Sequence, residues 1–189
     1  MIQKLLAHRP PQTSWLILAL LIGTGLTEFV PAWEAHSMLF PGILQQPAQW
    51  YRLLLYPFHV DGLVAWFLLS LGLLLWGVMW EKKLSTAAWK LWLLAAVLGG
   101  LGYAWFNQAS GNPLVGPVFL FWASLGCALG VGLKYRASLK LVEKVLLGLA
   151  FLALGLFLLP NRGGVEILSA LILLASGLFG FRAPPKTQA

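Results

Sequence analysis

The sequence predicts an all-α, polytopic membrane protein whose six transmembrane helices form a single domain over residues 1–189. Composition is the first observation: 59% of the residues are hydrophobic, only 10% are charged, and the mean hydropathy is +0.80. A soluble domain of this length needs a far more polar surface. The other two observations are that the apolar residues fall into six runs, and that nearly all basic residues fall into alternate connections between them.

Each apolar run has a length suited to a helix that crosses about 30 Å of hydrocarbon. Within lipid, a helix satisfies every backbone polar group internally, which makes it the expected form of such runs. The basic N-terminal stretch is not followed by a small-residue cleavage site, so we expect the first span to be retained. The predicted spans are 14–30, 63–80, 87–106, 114–133, 142–159 and 165–181.

The distribution of Lys and Arg predicts the orientation of these spans. Eleven of the 13 basic residues lie before the first span, after the sixth, in the connections between spans two and three and between spans four and five, or within the first turn after these two connections. Only Arg52 and Arg162 fall on the opposite side. Because basic residues favour the cytoplasmic side, both termini are expected in the cytoplasm, in a membrane such as the bacterial plasma (inner) membrane.

The connection between the first two spans, residues 31–62, is long and unusually apolar for an outer loop. Long loops in compact proteins are commonly functional or disordered, and this one is too rich in aromatic residues for disorder. We therefore expect a membrane-associated loop that lies flat in the outer leaflet as an interfacial helix or hairpin.

The residues that carry chemistry in other membrane enzymes are sparse here. None of the three histidines, His8, His36 and His59, lies inside a predicted span. The chain has no HExxH motif and no Asp within a span, which argues against zinc and aspartyl protease mechanisms. His59 and Asp61 could form half of a metal site, but a pair of polar anchors is the simpler interpretation. We predict no metal and no cofactor, and the basic residues belong to topology rather than to nucleic-acid binding.

Two stretches resemble the rhomboid family of intramembrane serine proteases. The first covers the end of the long loop and the second span; its matching residues are Tyr51-Arg52, Tyr56-Pro57-Phe58, Gly77 and, four residues later, Glu81. The second opens the fourth span, where Gly116, Val118 and Phe119 match the family pattern. The resemblance implies a six-helix rhomboid-like bundle in which Tyr51, Arg52, Gly77, Glu81 and Gly116 have structural roles.

The catalytic residues of that family do not carry over to this sequence. A Ser on the fourth helix and a His on the sixth form the family's dyad, and a His and an Asn on the second helix stabilise the oxyanion. The corresponding positions hold Val115, Ala170, Ala65 and Leu69, in that order. The resemblance therefore implies a pseudoprotease similar to derlins and inactive rhomboids, which bind transmembrane helices without cleaving them.

The expected partners are the lipid bilayer and the transmembrane helices of a client or of a membrane complex. By resemblance, a client would meet the lateral face between the second and fifth helices. On the second helix we expect the contact residues to be Trp66, Phe67, Leu73 and Trp76, although the same side chains could simply face lipid.

Two other functions stay open at this point. One is a divergent rhomboid-family protease with an unusual dyad such as Ser110 with His59, although a nucleophilic serine needs its base within hydrogen-bond reach. The other is a transporter of a small molecule or lipid. Transport pathways are usually marked by charged residues inside the spans, and this chain has almost none there.

Overall fold

The computed structural model describes residues 12–83, 88–108, 112–139, 141, 143–145, 147–149 and 164–182. Within them the chain is all-α, and the only β-type pairing is an isolated antiparallel bridge between Leu39 and Leu114. The α-helices are α1 (Gln12–Phe29), α2 (Pro31–Ser37), α3 (Arg52–Leu55), α4 (Leu63–Lys83), α5 (Ala88–Phe106), α6 (Val118–Lys134) and α7 (Gly164–Arg182).

The long helices follow the predicted spans, with one informative difference at the fourth. Helix α6 begins at Val118 rather than at residue 114, because Leu114 is held in the bridge to Leu39 and Gly116 adopts a positive φ of 83°. Of the fifth predicted span, 142–159, the structure describes helical residues at 143–145 and 147–149. Residues 150–159 lie outside the described residues.

Helices α6 and α7 pack backbone against backbone. A Cβ atom at Gly126 would lie 2.2 Å from the carbonyl oxygen of Leu173, and one at Gly130 would lie 2.0 Å from that of Gly177. The contacts advance in the same direction along both helices, so the two helices run parallel. Glycine at these positions allows this close approach, because a Cβ atom would collide with the backbone of the neighbouring helix.

The connection between α1 and α4 folds into short helices instead of one interfacial helix or hairpin. Pro31, Pro41, Pro47 and Pro57 each stand in the first turn of a short helical segment, where the missing N–H costs little. The 3-10 segments are Pro41–Gln45, Pro47–Gln49 and Tyr56–Phe58.

This connection adds a second hydrophobic core to the molecule. Its buried side chains pack with residues of α5, α6 and α7, so they are covered by protein rather than lipid; from the connection they are Leu39, Ile43, Leu53 and Tyr56. Burial raises the pKa of the Tyr56 hydroxyl well above its usual value, and this hydroxyl donates to the Ala96 carbonyl oxygen on α5 at 2.9 Å. The main core lies between α1, α4, α5, α6 and α7.

Helix length and composition identify few membrane spans. Among the described residues, Trp89–Phe106 is long and apolar enough to cross a bilayer. The segments Pro47–Phe58 and Leu63–Gly77, bent by 83° relative to each other, would count as a second span if they formed one. The apolar segments Val118–Lys134 and Ile167–Arg182 each have fewer than the 18 residues needed to count as a span. The number of six spans therefore stays a prediction.

Candidate functional site

Val115 lies in the short segment that leads into α6. The connection between α1 and α4, called the first connection below, forms hydrogen bonds with this segment on both sides of Val115. Leu114 N–H donates to the Leu39 carbonyl at 2.8 Å, and Leu39 N–H donates back to the Leu114 carbonyl at 3.1 Å. Gly116 N–H donates to the Tyr56 carbonyl at 3.0 Å. Val115 itself is half-buried and offers only methyl groups at the position that the resemblance to rhomboids pairs with their nucleophile.

Position 116 requires glycine because of its backbone conformation, and not because a side chain would lack space. Its φ of +83° is in the left-handed region, which side chains with a Cβ rarely adopt. A Cβ atom at this position would meet only the His59 carbonyl oxygen, at an ordinary contact distance of 3.7 Å. The left-handed backbone at Gly116 brings the end of the first connection, including His59, next to position 115.

The other three positions that the resemblance pairs with catalytic residues of rhomboids also lack reactive groups. Ala170 is half-buried on α7, and Ala65 and Leu69 are half-buried on α4, where they pack against the main core. Ser169, next to Ala170, is buried and its hydroxyl has no hydrogen-bond partner, so no base activates it. These positions supply no nucleophile, base or oxyanion donor.

A buried hydrogen-bond network lies beside position 115, and the sequence did not predict it. The Nδ1 atom of His59 is 2.7 Å from the Ser37 hydroxyl, and its Nε2 atom is 3.0 Å from Oδ1 of Asp61. Ser37 and His59 are 0% and 1% exposed, whereas the Asp61 side chain is 72% exposed. Ser37 is the last residue of α2, and Asp61 precedes α4. The hydrogen-bond network therefore connects the end of α2 to the start of α4.

The proton positions limit what this hydrogen-bond network can do. The Ser37 hydroxyl has one proton and two acceptors within reach, the Trp33 carbonyl at 2.7 Å and His59 Nδ1 at 2.7 Å. If the hydroxyl donates to Trp33, the bond between Ser37 and His59 needs a proton on Nδ1; if the hydroxyl donates to His59, Nδ1 is the acceptor. In either case the single hydroxyl proton of Ser37 is already used within this group of side chains and backbone.

The arrangement differs from a serine-protease triad in two respects. In a triad the serine faces Nε2 and the carboxylate faces Nδ1, the reverse of the order found here. A nucleophile must also be reachable by substrate, and Ser37 is fully buried. The geometry therefore fits a structural role, in which these hydrogen bonds hold the end of α2 against the start of α4.

The unusual dyad considered from the sequence does not gain support. Ser110 lies outside the described residues. Both ring nitrogens of His59 already have partners, Ser37 and Asp61. The second described histidine, His36, contacts the Tyr51 hydroxyl through Nδ1 at 2.9 Å.

Arg52 joins separate parts of the first connection. Its Nη1 donates to the Met38 carbonyl at 2.9 Å, and its guanidinium carbon lies 5.7 Å from the ring centroid of Phe40 and 5.8 Å from that of Tyr51. The Nε atom is buried without a hydrogen-bond partner. Tyr51 and Arg52 together hold the segment before the bridge residue Leu39 in place.

Gly77 and Glu81 join α4 to the start of α1. A Cβ atom at Gly77 would lie 2.8 Å from the side chain of Thr13, so glycine allows the two helices to meet. One turn later, the Glu81 carboxylate accepts hydrogen bonds from the backbone N–H groups of Gln12 and Thr13 and, at 2.7 Å, from the Thr13 hydroxyl. A carboxylate at a helix N-terminus satisfies unpaired N–H groups and interacts favourably with the helix dipole.

The expected client-contact residues do not share one exposed face, and the structure corrects this expectation. Leu73 is fully buried in the main core, and Trp76 is buried with its ring 5.2 Å from that of Phe121 on α6. Trp66 is half-buried, and its indole N–H lies 3.3 Å from the Ile17 carbonyl. Only Phe67, which is 57% exposed, lies on the outer face of α4.

Within the described part of the chain, no three His, Cys, Asp or Glu side chains come together in a way that could hold a metal ion. The pair His59 and Asp61 is bonded to itself and to Ser37. Comparisons of the chain with known protein families, with curated proteins and with solved structures give no match.

Proposed function

We propose that this chain is a catalytically inactive, rhomboid-like integral membrane protein that binds the transmembrane helix of a client or of a partner in a membrane complex. The proposal of inactivity rests on the state of two residues. Val115 fills the nucleophile position, and Ser37, the described serine that contacts a histidine, is fully buried on the wrong ring nitrogen for a triad.

The distribution of apolar surface supports placement in a membrane. A soluble monomer rarely exposes large contiguous apolar patches. Here the outward sides of four of the long helices, α1, α4, α5 and α7, are apolar; examples that are more than half exposed are Trp15, Ile22, Phe67, Leu68, Leu94, Leu98, Leu171 and Leu174. The one-sided distribution of basic residues adds the orientation, with both termini in the cytoplasm.

The outer face of α4 is the client-binding surface in this proposal. Its exposed side chains recur at helical spacing, so they form one stripe; they are Val64, Phe67, Leu68, Leu71 and Leu74. Two apolar helices in lipid associate through van der Waals packing rather than through the hydrophobic effect. A stripe of this kind suits a partner helix that presents small residues.

The other two functions draw less support from the same residues. A divergent protease would need His59 as its base, and both nitrogens of that ring are engaged. A transporter usually carries charged groups inside its spans. No Asp, Glu, Lys or Arg is among the buried side chains of the described residues.

The binding proposal can be tested by site-specific crosslinking in the native membrane. A photoreactive amino acid at position 67 or 71 on α4 is expected to form a crosslink to one reproducible membrane protein. The same amino acid at position 174 on α7, which is equally exposed to the surroundings, serves as the matched control. Mass spectrometry of the adduct identifies the partner.

The double substitution Phe67→Ala with Leu71→Ala is expected to weaken co-purification of that partner. It should leave the unfolding temperature nearly unchanged, since both side chains are exposed. Crosslinks at position 174 but not at position 67 or 71 would place the partner on α7 and contradict the assigned surface. Crosslinks to lipid alone at all three positions would contradict client binding.

A further inference from the structure

A groove of about 320 Å³ opens between α5 and α7, with α6 at its base. Its base and part of one wall consist of small residues, Ala95, Ala123, Ala175 and Ser176, and its sides consist of larger apolar ones. The small side chains give the groove its depth. The larger lining residues are Leu91, Leu94, Leu98, Ile172 and Phe179.

The polar groups of the groove are confined to two residues. The Ser176 hydroxyl is directed at carbonyl oxygens of its own helix, Ile172 at 2.7 Å and Leu173 at 3.0 Å, so it needs no ligand. Among the described residues that line the groove, Lys90 is the charged one and none is a carboxylate. The groove therefore combines an apolar body with one cation at the end where α5 begins.

The end that carries Lys90 has the features of a membrane–water interface. Its ammonium group lies 5.7 Å from the ring centroid of Trp89, and both side chains are exposed. Trp is enriched at membrane interfaces, and lysines there reach toward headgroups. The distribution of basic residues assigns this end to the cytoplasmic leaflet, which carries the anionic lipids.

The lining of the groove indicates its occupant. An apolar body that ends at one cation matches an acyl chain attached to an anionic headgroup, because the chain would meet apolar side chains and the phosphate would meet the ammonium group of Lys90.

We propose that this groove binds one acyl chain of an anionic phospholipid of the inner leaflet, whose phosphate meets Lys90. The inference rests on the membrane placement in the proposed function, but not on client binding. The lipid site lies between α5 and α7, whereas the client surface is the outer face of α4. Loss of one is therefore separable from loss of the other.

The test is native mass spectrometry of the protein in mild detergent with equal amounts of phosphatidylglycerol and phosphatidylcholine that carry the same acyl chains. The unchanged protein is expected to retain one phosphatidylglycerol, with about fivefold preference over phosphatidylcholine, the effect of one lysine near an anionic phosphate. Lys90→Gln should remove the preference. Arg136→Gln, which removes one exposed cation outside the groove, should keep it.

A second pair of variants tests the groove itself. Ala175→Phe places a ring in the groove at an exposed position and should prevent retention of either lipid. Leu178→Phe, on the same helix but outside the lining, is the matched control and should retain lipid.

Equal retention of both lipids by the unchanged protein would overturn the proposal, as would unchanged retention in Ala175→Phe. A bound second copy of the chain in place of lipid would also overturn it. Membrane placement is tested by a separate measurement, extraction of the protein from the membrane. A protein that leaves the membrane without detergent contradicts the proposed function, whereas an integral membrane protein that retains no phosphatidylglycerol contradicts this inference alone.

Discussion

At the scale of single residues, Arg52 is expected to stabilise the fold through the first connection. Arg52→Ala removes the hydrogen bond to the Met38 carbonyl and the contacts with the rings of Phe40 and Tyr51. An unpaired buried carbonyl costs about 1–3 kcal/mol, so the unfolding temperature in detergent should fall. Arg136→Ala, at an exposed position, is the control and should have little effect. An unchanged unfolding temperature together with lost partner binding would reverse the assignment and make the loop the binding surface.

Gly116 gives a second residue-scale prediction. Gly116→Ala forces a Cβ into a left-handed conformation and should lower the free energy of unfolding by about 1–2 kcal/mol. Gly25→Ala is the matched comparison, because that glycine lies inside α1 with nothing within 4 Å of the added Cβ. Helix propensity favours Ala there by up to about 1 kcal/mol. If both variants had the same stability, the turn at Gly116 would not depend on glycine.

Sequence reasoning at this scale identifies what a position lacks better than what it contacts. The apolar side chains of Val115 and Ala170 are evident from the sequence, and they exclude a nucleophile and a base without any structure. The contact between Ser37 and His59 is not evident. The two residues are 22 positions apart, and several short helices intervene before the chain returns. No spacing rule connects them.

At the scale of elements, the contact between α6 and α7 depends on glycine. Gly130→Ala would place a methyl carbon 2.0 Å from the Gly177 carbonyl oxygen, so the helices must separate, at a cost of about 1–3 kcal/mol. Gly177→Ala is the graded control, since its Cβ would lie 3.3 Å from the Gly126 carbonyl oxygen and a small shift relieves it. Thermal unfolding should rank Gly130→Ala as the less stable. The reverse order would mean that the two helices are not in this register.

The face of α4 illustrates why helix existence is easier to predict than helix orientation. A uniformly apolar run predicts a helix but gives no polar side to mark the surface. The glycines carry the missing signal. A Cβ at Gly72 would lie 2.5 Å from the Phe121 ring, and one at Gly77 would lie 2.8 Å from Thr13, so these glycines mark the packed side. Leu73 and Trp76 share that side, which explains why they are buried.

The first connection shows a different limit of the same kind. Its length and aromatic content predict an ordered apolar element, and the prolines are consistent with several short helices. Whether its apolar side chains meet lipid or protein depends on α5, to which Tyr56 is bonded through the Ala96 carbonyl. That contact spans 40 residues and is set by tertiary packing.

At the scale of the whole molecule, the predicted topology has both termini in the cytoplasm. A reporter that is active only in the cytoplasm should therefore be active when fused after residue 189. Fusions within the connection 31–62 should be inactive, because that segment is predicted to face outward. Activity of an outward-specific reporter at the C-terminus would contradict both the orientation and the number of six spans.

The proposed function is that of a rhomboid-like membrane protein without a reactive serine. The most direct measurement is the intact mass of the purified, folded protein after incubation with a serine-directed fluorophosphonate. No mass increase is expected, because Val115 stands at the nucleophile position and Ser37 is fully buried beside His59. Covalent addition that disappears in Ser37→Ala, or in a variant of any other single serine, would contradict it.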